Sequence, residues 1–264
     1  MRLDFKYFEL QIGRNPYRII IKIHPNSSWY NRDYKLYVEK LEGAKSDFPI
    51  HKSMPCLYDK IENAGSVNTY YFIQDLYFAQ KVFKSDPQKH VDIGSRIDGF
   101  VAHIASFREI ELLDVRKMES NIPNVIFKQA DLMDENKVPT DYCDSISSLH
   151  ALEHFGLGRY GDPIDPEGHL KGFKNITKML KTGGKFYFSV PMGRQRIEFN
   201  AHRVFGMPYL LKMVSENYDI ISFSYIDDGG HIHKDVGLTK VSEDKINKSF
   251  DCKYGCALFE LRKK

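Results

Sequence analysis

The chain has 264 residues, 42% of them hydrophobic and 28% charged, which is enough for one medium domain with an appendage or for two small domains. Its 38 basic and 35 acidic residues give a net charge of +3, which excludes the general cationic field of a nucleic-acid-binding protein. Because no run of about 18 apolar residues and no secretory signal pattern occurs, we expect a cytoplasmic protein without a membrane span.

The first 87 residues are rich in aromatic side chains and differ in character from the rest of the chain. Strands are predicted around residues 5–12 and 17–23, and a helix over residues 68–84. We interpret residues 1–87 as a cap region that packs on the following domain and helps to cover its site. A stripe of Tyr and Phe at helical spacing is typical of core packing, so no ligand contact is assigned to it.

From residue 88 onward, short β-rich runs alternate with amphipathic stretches, which predicts a doubly wound α/β domain over residues 88–264. Seven strands are predicted, over residues 90–95, 109–115, 124–130, 144–150, 185–191, 220–226 and 256–262. Helices are predicted over residues 99–107, 167–180 and 206–216. Because residues 227–250 lack a crossover helix, the last two strands are expected to pair antiparallel at one edge of the sheet.

The stretch VDIGSRIDGF, residues 91–100, has the form of a nucleotide-binding turn, but Arg96 and Asp98 occupy the positions of the second and third glycines. Gly94 permits a sharp turn, and Asp98 is expected to cap the helix that follows. An anionic cap and a bulky Arg96 both oppose the close approach of a pyrophosphate. The turn is therefore predicted to suit a nucleoside without phosphate.

Acidic residues stand at the ends of three successive predicted strands. Asp92 ends the first strand, Asp114 the second, and Asp131 follows the third. An acid at the end of the second strand typically accepts hydrogen bonds from both ribose hydroxyls, and Asp131 is placed to meet an adenine amino group. Each acid taken singly is equally consistent with a solvated strand end, but the three together favour an adenosine site.

The segments VDIGS, LLDV, QADL, LHALEH and LKTGGKFYFSVP resemble the class I S-adenosylmethionine-dependent methyltransferases, over residues 88–264. The resemblance implies a seven-stranded Rossmann-like methyltransferase sheet with an antiparallel C-terminal strand, and S-adenosyl-L-methionine as the cofactor. The segments VDIGSRIDGFVAHIASF, EHFGLGRYGDPIDPEG and FNAHRVF also resemble a bacterial and nematode methyltransferase-like family of unknown function, which is often found in surface-glycan gene neighbourhoods.

The first resemblance places the cofactor against the carboxyl ends of the strands. The expected cofactor contacts are Asp92, Gly94, Ser95, Arg96, Asp114, Val115, Asp131, Leu132 and His150. Asp92 is expected to hold the methionine amino group. Arg96 is expected either to meet the methionine carboxylate or to pair with Asp98 or Asp114.

The segment over residues 148–168 follows the fourth strand, where this fold places the methyl acceptor. If the acceptor is a hydroxyl, a side chain must remove its proton, and histidine is the usual choice near neutral pH. His154 is the first candidate for this base. His202 is the second, and Glu153 is an alternative if burial raises its pKa.

Four further residues are candidates for acceptor binding: Arg159, Tyr160, Asp162 and Arg203. Either Arg159 or Arg203 is expected to grip a phosphate or carboxylate of the acceptor through its planar guanidinium. Alternatively, an Arg to Asp pair only locks a compact turn. No metal site is predicted, because the cysteines lack zinc spacing and the pair His231 and His233 has no evident third ligand.

These features predict a methyltransferase that O-methylates a sugar or a small phosphorylated or nucleotide-linked metabolite in surface polysaccharide biosynthesis. Its partner is thus a small-molecule acceptor of carbohydrate or nucleotide-linked type, and no nucleic acid is expected. Two alternatives are a NAD-dependent oxidoreductase, which shares the turn and the ribose acid, and a non-catalytic protein that binds S-adenosylmethionine. The substitutions at Arg96 and Asp98 argue against the dinucleotide.

Overall fold

The computed structural model describes residues 8–12, 19–23, 28–42, 48–51, 56–57 and 70–264. The chain divides into two compact units, Met1–Ser66 and Val67–Lys264. In the first unit, strands β1 (Phe8–Ile12) and β2 (Ile19–Ile23) pair antiparallel, and helix α1 spans Ser28–Glu42. Both predicted N-terminal strands are therefore present, and residues 5–7 and 17–18 of those predictions lie outside the described residues.

The second unit contains an α/β arrangement. Its helices are α2 (Tyr70–Ser85), α3 (Ala102–Ala105), α4 (Gly168–Met179), α5 (Met207–Ser215) and α6 (Glu243–Asn247). Its strands are β3 (His90–Ile93), β4 (Ile110–Asp114), β5 (Val125–Gln129), β6 (Cys143–Leu149), β7 (Leu180–Met192), β8 (Arg196–Glu198), β9 (His202–Val204), β10 (Tyr218–Ile226), β11 (Ile232–His233) and β12 (Gly255–Lys263). Short helical turns span Ile97–Val101, Glu135–Lys137, Leu152–His154, Leu238–Lys240 and Ser249–Asp251.

Eight strands form the central sheet, in the order β11-β10-β12-β7-β6-β3-β4-β5. The pairs within β7-β6-β3-β4-β5 are all parallel, whereas β12 pairs antiparallel with both β7 and β10. All seven predicted strands are present, and the two-residue β11 adds an edge strand that the sequence pattern did not indicate. The predicted α/β fold class with an antiparallel C-terminal strand is confirmed.

The last strand lies deeper in the sheet than predicted. The sequence predicted that β10 and β12 would pair as an edge unit, and they do pair antiparallel. However, β12 is inserted between β7 and β10, so that it is hydrogen-bonded on both sides and buried from Gly255 to Leu261. A continuous apolar strand of this kind gains most burial in an interior position, which is the physical reason for the insertion.

Helices cover both faces of the sheet, because successive residues of each buried strand point to opposite sides. On one face, Phe78 of α2 and Ile104 of α3 pack on Leu112. On the other face, Phe173 of α4 and Leu210 of α5 pack in a cluster that contains the neighbouring Leu113. The doubly wound arrangement therefore follows from strands that are apolar on both faces.

Helix α2 belongs to the second unit, although its residues were predicted to be part of the cap region 1–87. The stripe of Phe78 and Val82 is fully buried against the sheet, as expected for core packing. Lys81 on the same helix forms an ion pair of 2.7 Å with Glu260 of β12. The predicted function of residues 1–66 as a cover for the site stays a prediction.

Helix α4 ends earlier than predicted. Its last residue is Met179, and Leu180 already has extended backbone angles. Gly183 lies within β7 with a φ of +78°, close to a shift in the β6 to β7 register. Within the described part of the chain, no helix combines the length and the apolar character needed to cross a membrane.

Candidate functional site

Two cavities lie at the carboxyl ends of the parallel strands. The smaller, an open space of about 540 Å³, extends along the ends of β3, β4 and β5 toward the segment after β6. The larger adjoins it and comprises about 1080 Å³ of open space, a volume that includes neighbouring solvent. Both are lined by Gly94, Asp114, His150, His154 and Tyr160. In doubly wound sheets this is the edge at which ligands bind.

The turn after β3 depends on glycine. Gly94 has a φ of +68°, a left-handed conformation that residues with a side chain rarely adopt. A Cβ atom at this position would lie 3.1 Å from the Cβ of Ala151. The bare backbone of Gly94 therefore brings the turn close to the segment after β6 and lets it line both cavities.

Asp92 lies behind this turn and is fully buried. Its carboxylate accepts hydrogen bonds from the backbone N–H and the hydroxyl of Ser95, at 2.9 and 2.7 Å, and from the hydroxyl of Ser147. Burial raises the pKa of Asp92 to about 6. The side chains of Asp92 and Ser95 are hydrogen-bonded to each other, and Ser95 lines the larger cavity. The contact of both residues with a cofactor stays a prediction.

Asp114 lies at the end of β4 and lines both cavities. Its carboxylate accepts three hydrogen bonds from Arg116, from the backbone N–H at 2.8 Å, Nε at 2.9 Å and Nη2 at 2.6 Å. The guanidinium carbon of Arg116 also lies 4.4 Å from the centroid of the Tyr160 ring. Asp114, predicted to accept hydrogen bonds from a ribose, is thus at the end of its strand as expected. Its hydrogen bonds with Arg116 were not predicted.

Asp131 follows β5 and lines the smaller cavity together with Val115 and Leu132. One of its oxygens, Oδ1, accepts a hydrogen bond of 2.9 Å from the backbone N–H of Met133. Leu132 is buried, and Leu113 from β4 also lines this space. The structure therefore brings together an acidic group and apolar walls, which is the combination that an adenine ring requires.

Arg96 lines the larger cavity but pairs with Asp98, with Nε to Oδ1 at 3.1 Å and Nη2 to Oδ2 at 2.9 Å. Of the two roles predicted for Arg96, the structure shows the pairing with Asp98. Asp98 does not cap a helix as predicted, because it lies inside the distorted turn Ile97–Val101, which has no side-chain cap. The regular helix begins only at Ala102.

His150 and Glu153 form a buried pair. The Nδ1 atom of His150 lies 2.9 Å from Oε1 of Glu153, and the second oxygen of Glu153, Oε2, has no hydrogen-bond partner among the described residues. Although burial opposes the charge on Glu153, the charges of His150 and His154 and the His150 hydrogen bond hold its pKa below the ordinary value. Glu153 was predicted as an alternative base only if burial raised its pKa. The pKa is instead lowered, so that condition is not met.

His154 lines both cavities and is largely buried. Its Nδ1 atom donates a hydrogen bond of 2.6 Å to the carbonyl oxygen of Ala201, because a carbonyl oxygen only accepts. In the neutral ring, Nε2 then carries a lone pair, and it lies 3.6 Å from Oε1 of Glu153. Burial lowers the pKa of His154, which favours the neutral form near neutral pH.

His202, the second candidate base, lies at the start of β9 and is half-buried. Its ring centroid is 6.4 Å from that of His154 and 5.1 Å from that of Tyr254. Burial lowers its pKa as well. The structure therefore brings both predicted histidines to one place, but only His154 lines the two cavities.

Asp162 organises the segment after β6. Its Oδ2 accepts hydrogen bonds from the backbone N–H groups of Gly156 and Gly158, and its Oδ1 accepts one from Tyr160. The alternative prediction, that an ion pair between an Arg and an Asp holds the turn, is wrong for Arg159. Its guanidinium donates instead to the carbonyl oxygen of Ala201 at 2.9 Å. Asp162 also lines the smaller cavity.

Arg203, a candidate for acceptor binding, is buried on β9. Its guanidinium donates to the backbone carbonyl oxygens of Phe155 at 2.6 Å, Pro166 at 3.2 Å and Glu153 at 3.4 Å. Burial lowers its pKa. Arg203 therefore fixes the ends of the segment after β6, and its contact with an acceptor stays a prediction.

Arg116 and Tyr71 are among the residues at the cavities that the sequence did not indicate. Arg116 follows Asp114 by two positions, and this spacing on an extended segment was the available signal. Tyr71 lines the larger cavity from the first turn of α2, and its ring centroid is 5.0 Å from that of His150. Only the packing of α2 against the sheet brings Tyr71 to this position.

The two histidines considered for metal binding lie elsewhere, on the loop before β11 and on β11 itself. His233 Nε2 is 2.7 Å from Asp227 Oδ2, and His231 Nδ1 is 3.4 Å from Asp227 Oδ1. Over the residues that the structure describes, no group of three or more His, Cys, Asp or Glu side chains has an arrangement suited to a metal ion. Asp227 therefore pairs with these histidines at the surface.

Solved structures share this fold. A Burkholderia thailandensis 1,6-didemethyltoxoflavin-N1-methyltransferase, crystallised with 1,6-didemethyltoxoflavin and S-adenosylhomocysteine, is 12% identical, with a TM-score of 0.52 over 95% of this chain and 97% of that chain. The N-methyltransferase NodS from Bradyrhizobium japonicum WM9, in complex with S-adenosylhomocysteine, is 14% identical, with a TM-score of 0.49 over 75% of this chain and 89% of that chain. The first of these shows that the present fold is a Rossmann-like methyltransferase fold.

A comparison with curated proteins finds no match to the sequence. The sequence of residues 98–252, more than half of the chain, matches a protein family and includes the segment after β6 and the β8 to β9 hairpin. This region contains Asp114, Asp131 and His154. The chain therefore belongs to the family described as "Caenorhabditis protein of unknown function, DUF268".

Proposed function

We propose that the protein is an S-adenosylmethionine-dependent methyltransferase. The observation that carries the proposal is the smaller cavity, in which Asp114 and Asp131 stand at the ends of neighbouring strands beside the apolar Leu113 and Leu132. A ribose diol requires a hydrogen-bond acceptor, and an adenine ring requires apolar faces with an acceptor for its amino group. This set of side chains matches a nucleoside.

The residues present fit the proposed cofactor. Asp114 would accept the ribose hydroxyls, Asp131 would accept from the adenine amino group, and Leu132 and Val115 would contact the ring. The bare turn at Gly94 and the buried His150 would border the methionine end. When bound, S-adenosylmethionine supplies a methyl group on a positively charged sulfur.

His154 is the proposed general base. Its Nδ1–H is fixed by Ala201, so Nε2 is the atom that would receive the acceptor proton. Glu153, 3.6 Å from Nε2, would stabilise the imidazolium ion that then forms. The burial of both residues strengthens this charge interaction, because less water screens it.

The proposed acceptor is a small polar molecule, and we infer a sugar or a phosphorylated or nucleotide-linked metabolite of surface polysaccharide assembly. Arg159 and Tyr160 border the larger cavity and would contact such an acceptor. Tyr160 offers an aromatic ring and a hydroxyl of the kind that sugars contact, and Arg159 offers a guanidinium that can bind an anionic substituent.

Calorimetric titration with S-adenosylhomocysteine tests the cofactor. We expect the wild-type chain to bind it and the Asp114→Ala variant to bind at least about tenfold more weakly, because a charge-assisted hydrogen bond to the ribose is lost. Asp219→Ala is the matched control, since Asp219 is exposed and pairs in register with Arg262 at the opposite end of the sheet. A folded wild-type chain without any affinity for S-adenosylhomocysteine would contradict the proposal.

The oxidoreductase alternative predicts binding of NADH instead. Arg96 and Asp98 occupy the turn where a pyrophosphate would need bare backbone, so we expect no change in NADH fluorescence on titration with the protein. Saturable NADH binding together with failure to bind S-adenosylhomocysteine would favour the alternative.

A further inference from the structure

The larger cavity carries more positive than negative side chains. Its charged residues are Arg96, Asp98, Asp114, Arg116, Lys117 and Arg159. Arg96 pairs with Asp98 and Arg116 pairs with Asp114. Among the described residues, no carboxylate lies within ion-pair distance of Lys117 or Arg159. Two cations of this cavity therefore lack a compensating anion.

The proposed cofactor does not supply that anion. S-adenosylmethionine carries a sulfonium and an ammonium group against one carboxylate, so its net charge is positive. Placing it beside Lys117 and Arg159 leaves the excess of positive charge in the site. These two residues are explained by a second ligand that is negatively charged.

Arg116 connects the proposed cofactor site with the proposed anion site, because it is hydrogen-bonded to Asp114, the residue proposed to bind the ribose. A carboxylate offers about four lone-pair sites, and Arg116 already donates three hydrogen bonds to Asp114. A ribose diol that donates two hydrogen bonds to the same carboxylate must displace at least part of the guanidinium. The displaced group lies beside Tyr160, whose ring centroid is 4.4 Å from the guanidinium carbon of Arg116 and 5.2 Å from that of Arg159.

The cations also lie close to the proposed base. The carbonyl oxygen of Ala201 accepts hydrogen bonds from both Nδ1 of His154 and Nη1 of Arg159. Arg159 retains further N–H donors in its planar fork, which suit an oxyanion with two accepting oxygens. An anion bound to Arg159 would thus hold the acceptor beside His154.

We propose that the larger cavity binds a phosphate or diphosphate group of the acceptor through Arg159 and Lys117, and that the ribose releases Arg116 from Asp114 to join them. The release step rests on the proposed function, whereas the anion site itself rests on the charges of the cavity. By linkage, the cofactor raises the affinity for the anion and the anion raises the affinity for the cofactor by the same factor.

The test is calorimetric titration with inorganic phosphate and with pyrophosphate, each with and without saturating S-adenosylhomocysteine. We expect pyrophosphate to bind roughly tenfold more tightly in the presence of S-adenosylhomocysteine, a coupling of ordinary size for two linked sites. Tighter binding of pyrophosphate than of phosphate indicates a diphosphate group, and the reverse order indicates a single phosphate. Raising the salt concentration weakens the binding of either anion, because the cations are exposed.

Three variants separate the parts of the proposal. Arg159→Gln and Lys117→Gln are expected to weaken pyrophosphate binding roughly tenfold under both conditions, since each removes a charge-assisted contact. Arg116→Gln is expected to retain S-adenosylhomocysteine binding but to give the same pyrophosphate affinity with and without it. Arg262→Gln and Lys181→Gln are the controls, because both residues are exposed at the opposite end of the sheet.

The outcomes are distinguishable. If the wild-type chain does not bind S-adenosylhomocysteine, both the proposed function and the coupling fail. If it binds S-adenosylhomocysteine but not phosphate or pyrophosphate, or if Arg116→Gln retains the coupling, only the present inference is overturned. Circular dichroism of each variant verifies the fold, and Lys117→Gln provides the independent answer if Arg159→Gln does not fold.

Discussion

The imidazole of His90 is buried at the start of β3, at the opposite end of the sheet from the two cavities. Its ring nitrogens lie 2.8 Å from the hydroxyl of Ser145 and 3.1 Å from that of Ser147. Burial lowers its pKa from 6.5 to about 3. The neutral ring therefore forms hydrogen bonds with the hydroxyls of two serines. A second ring proton would create a positive charge that water cannot reach.

This burial makes stability depend on pH. Below pH 6.5 the unfolded chain takes up a proton on His90 that the folded chain does not, so stability is lost as the pH falls from 6.5 toward about 3. We expect the wild-type chain to lose about 1 kcal/mol more than His90→Gln between about pH 7.5 and pH 5.5. Urea unfolding at both pH values measures this difference, and equal losses in the two chains would contradict it.

Burial and the neighbouring Glu153 have opposite effects on the pKa of His154. Burial lowers the pKa and the charge of Glu153 raises it, with a net value below the ordinary 6.5. Removing the charge in Glu153→Gln is expected to lower the pKa further, because the imidazolium ion loses its stabilising partner. Titration of the imidazole by NMR measures both values. Glu198→Gln is the control, since exposed Glu198 acts on His202 rather than on His154.

For single residues, the sequence predicted which side chains stand at strand ends, but it did not predict their hydrogen-bond and ion-pair partners. Asp114 ends β4 and Asp131 follows β5, as the pattern predicted, because each short run of β-forming residues gives way to polar and turn residues at that point. The carbonyl oxygens around Arg203 belong to residues that are distant in sequence. The contacts of Asp114 with Arg116 and of Glu153 with His150 are local in sequence, but they depend on how their loops turn. Those contacts became visible only in the folded chain.

At the scale of elements, the turn after β3 combines a backbone requirement with a close contact. Gly94 and Gly183 both have left-handed φ angles, +68° and +78°. A Cβ at Gly94 would meet Ala151 at 3.1 Å, whereas a Cβ at Gly183 would meet nothing within 4 Å. A comparison of alanine variants at the two glycines therefore distinguishes two effects. Both variants strain the backbone, but only the one at Gly94 also crowds Ala151.

We expect Gly94→Ala and Gly183→Ala each to lose about 1–2 kcal/mol of unfolding free energy, because a side chain is strained in the left-handed conformation. Gly94→Ala is expected to lose more than Gly183→Ala and also to weaken S-adenosylhomocysteine binding, since its turn must move away from Ala151. Chemical unfolding and calorimetry measure the two effects. Equal binding by both variants would show that the turn does not border the cofactor.

The segment after β6 is an element whose shape the sequence left open. Asp162 accepts hydrogen bonds from three backbone N–H groups, and Arg203 binds three carbonyl oxygens of the same region. Neither contact follows from spacing along the chain, because both need a loop that already curves back on itself. Residues of this segment, among them His154 and Tyr160, line both cavities, and their contact with an acceptor stays a prediction.

At the scale of the whole molecule, the inserted strand β12 joins the two halves of the sheet. Leu258 pairs with Ser189 of β7 on one side and with Ser224 of β10 on the other. Ile232 of β11 pairs with β10 alone, because β11 is at the edge. A proline is tolerated at an edge or near the end of a strand, as Pro191 is in β7, but not in the middle of an interior strand, where it removes a ladder hydrogen bond.

Leu258→Pro is therefore expected to abolish cooperative unfolding of the second unit, whereas Ile232→Pro is expected to cost about 1–2 kcal/mol. Near-ultraviolet circular dichroism and urea unfolding distinguish the two variants. If both chains unfold at the same urea concentration, β12 is not the interior strand that the structure shows.

The order of the strands and helices, the acids at the strand ends and the histidine-bearing segment after β6 could be read from the amino-acid sequence, because local burial patterns and turn residues encode them. The insertion of β12 between β7 and β10 and the contacts of Arg203 with the carbonyl oxygens of Phe155 and Pro166 emerged only in the folded chain. The reason is physical: strand order and side-chain pairing depend on which surfaces bury each other, and these surfaces come from segments far apart in the chain.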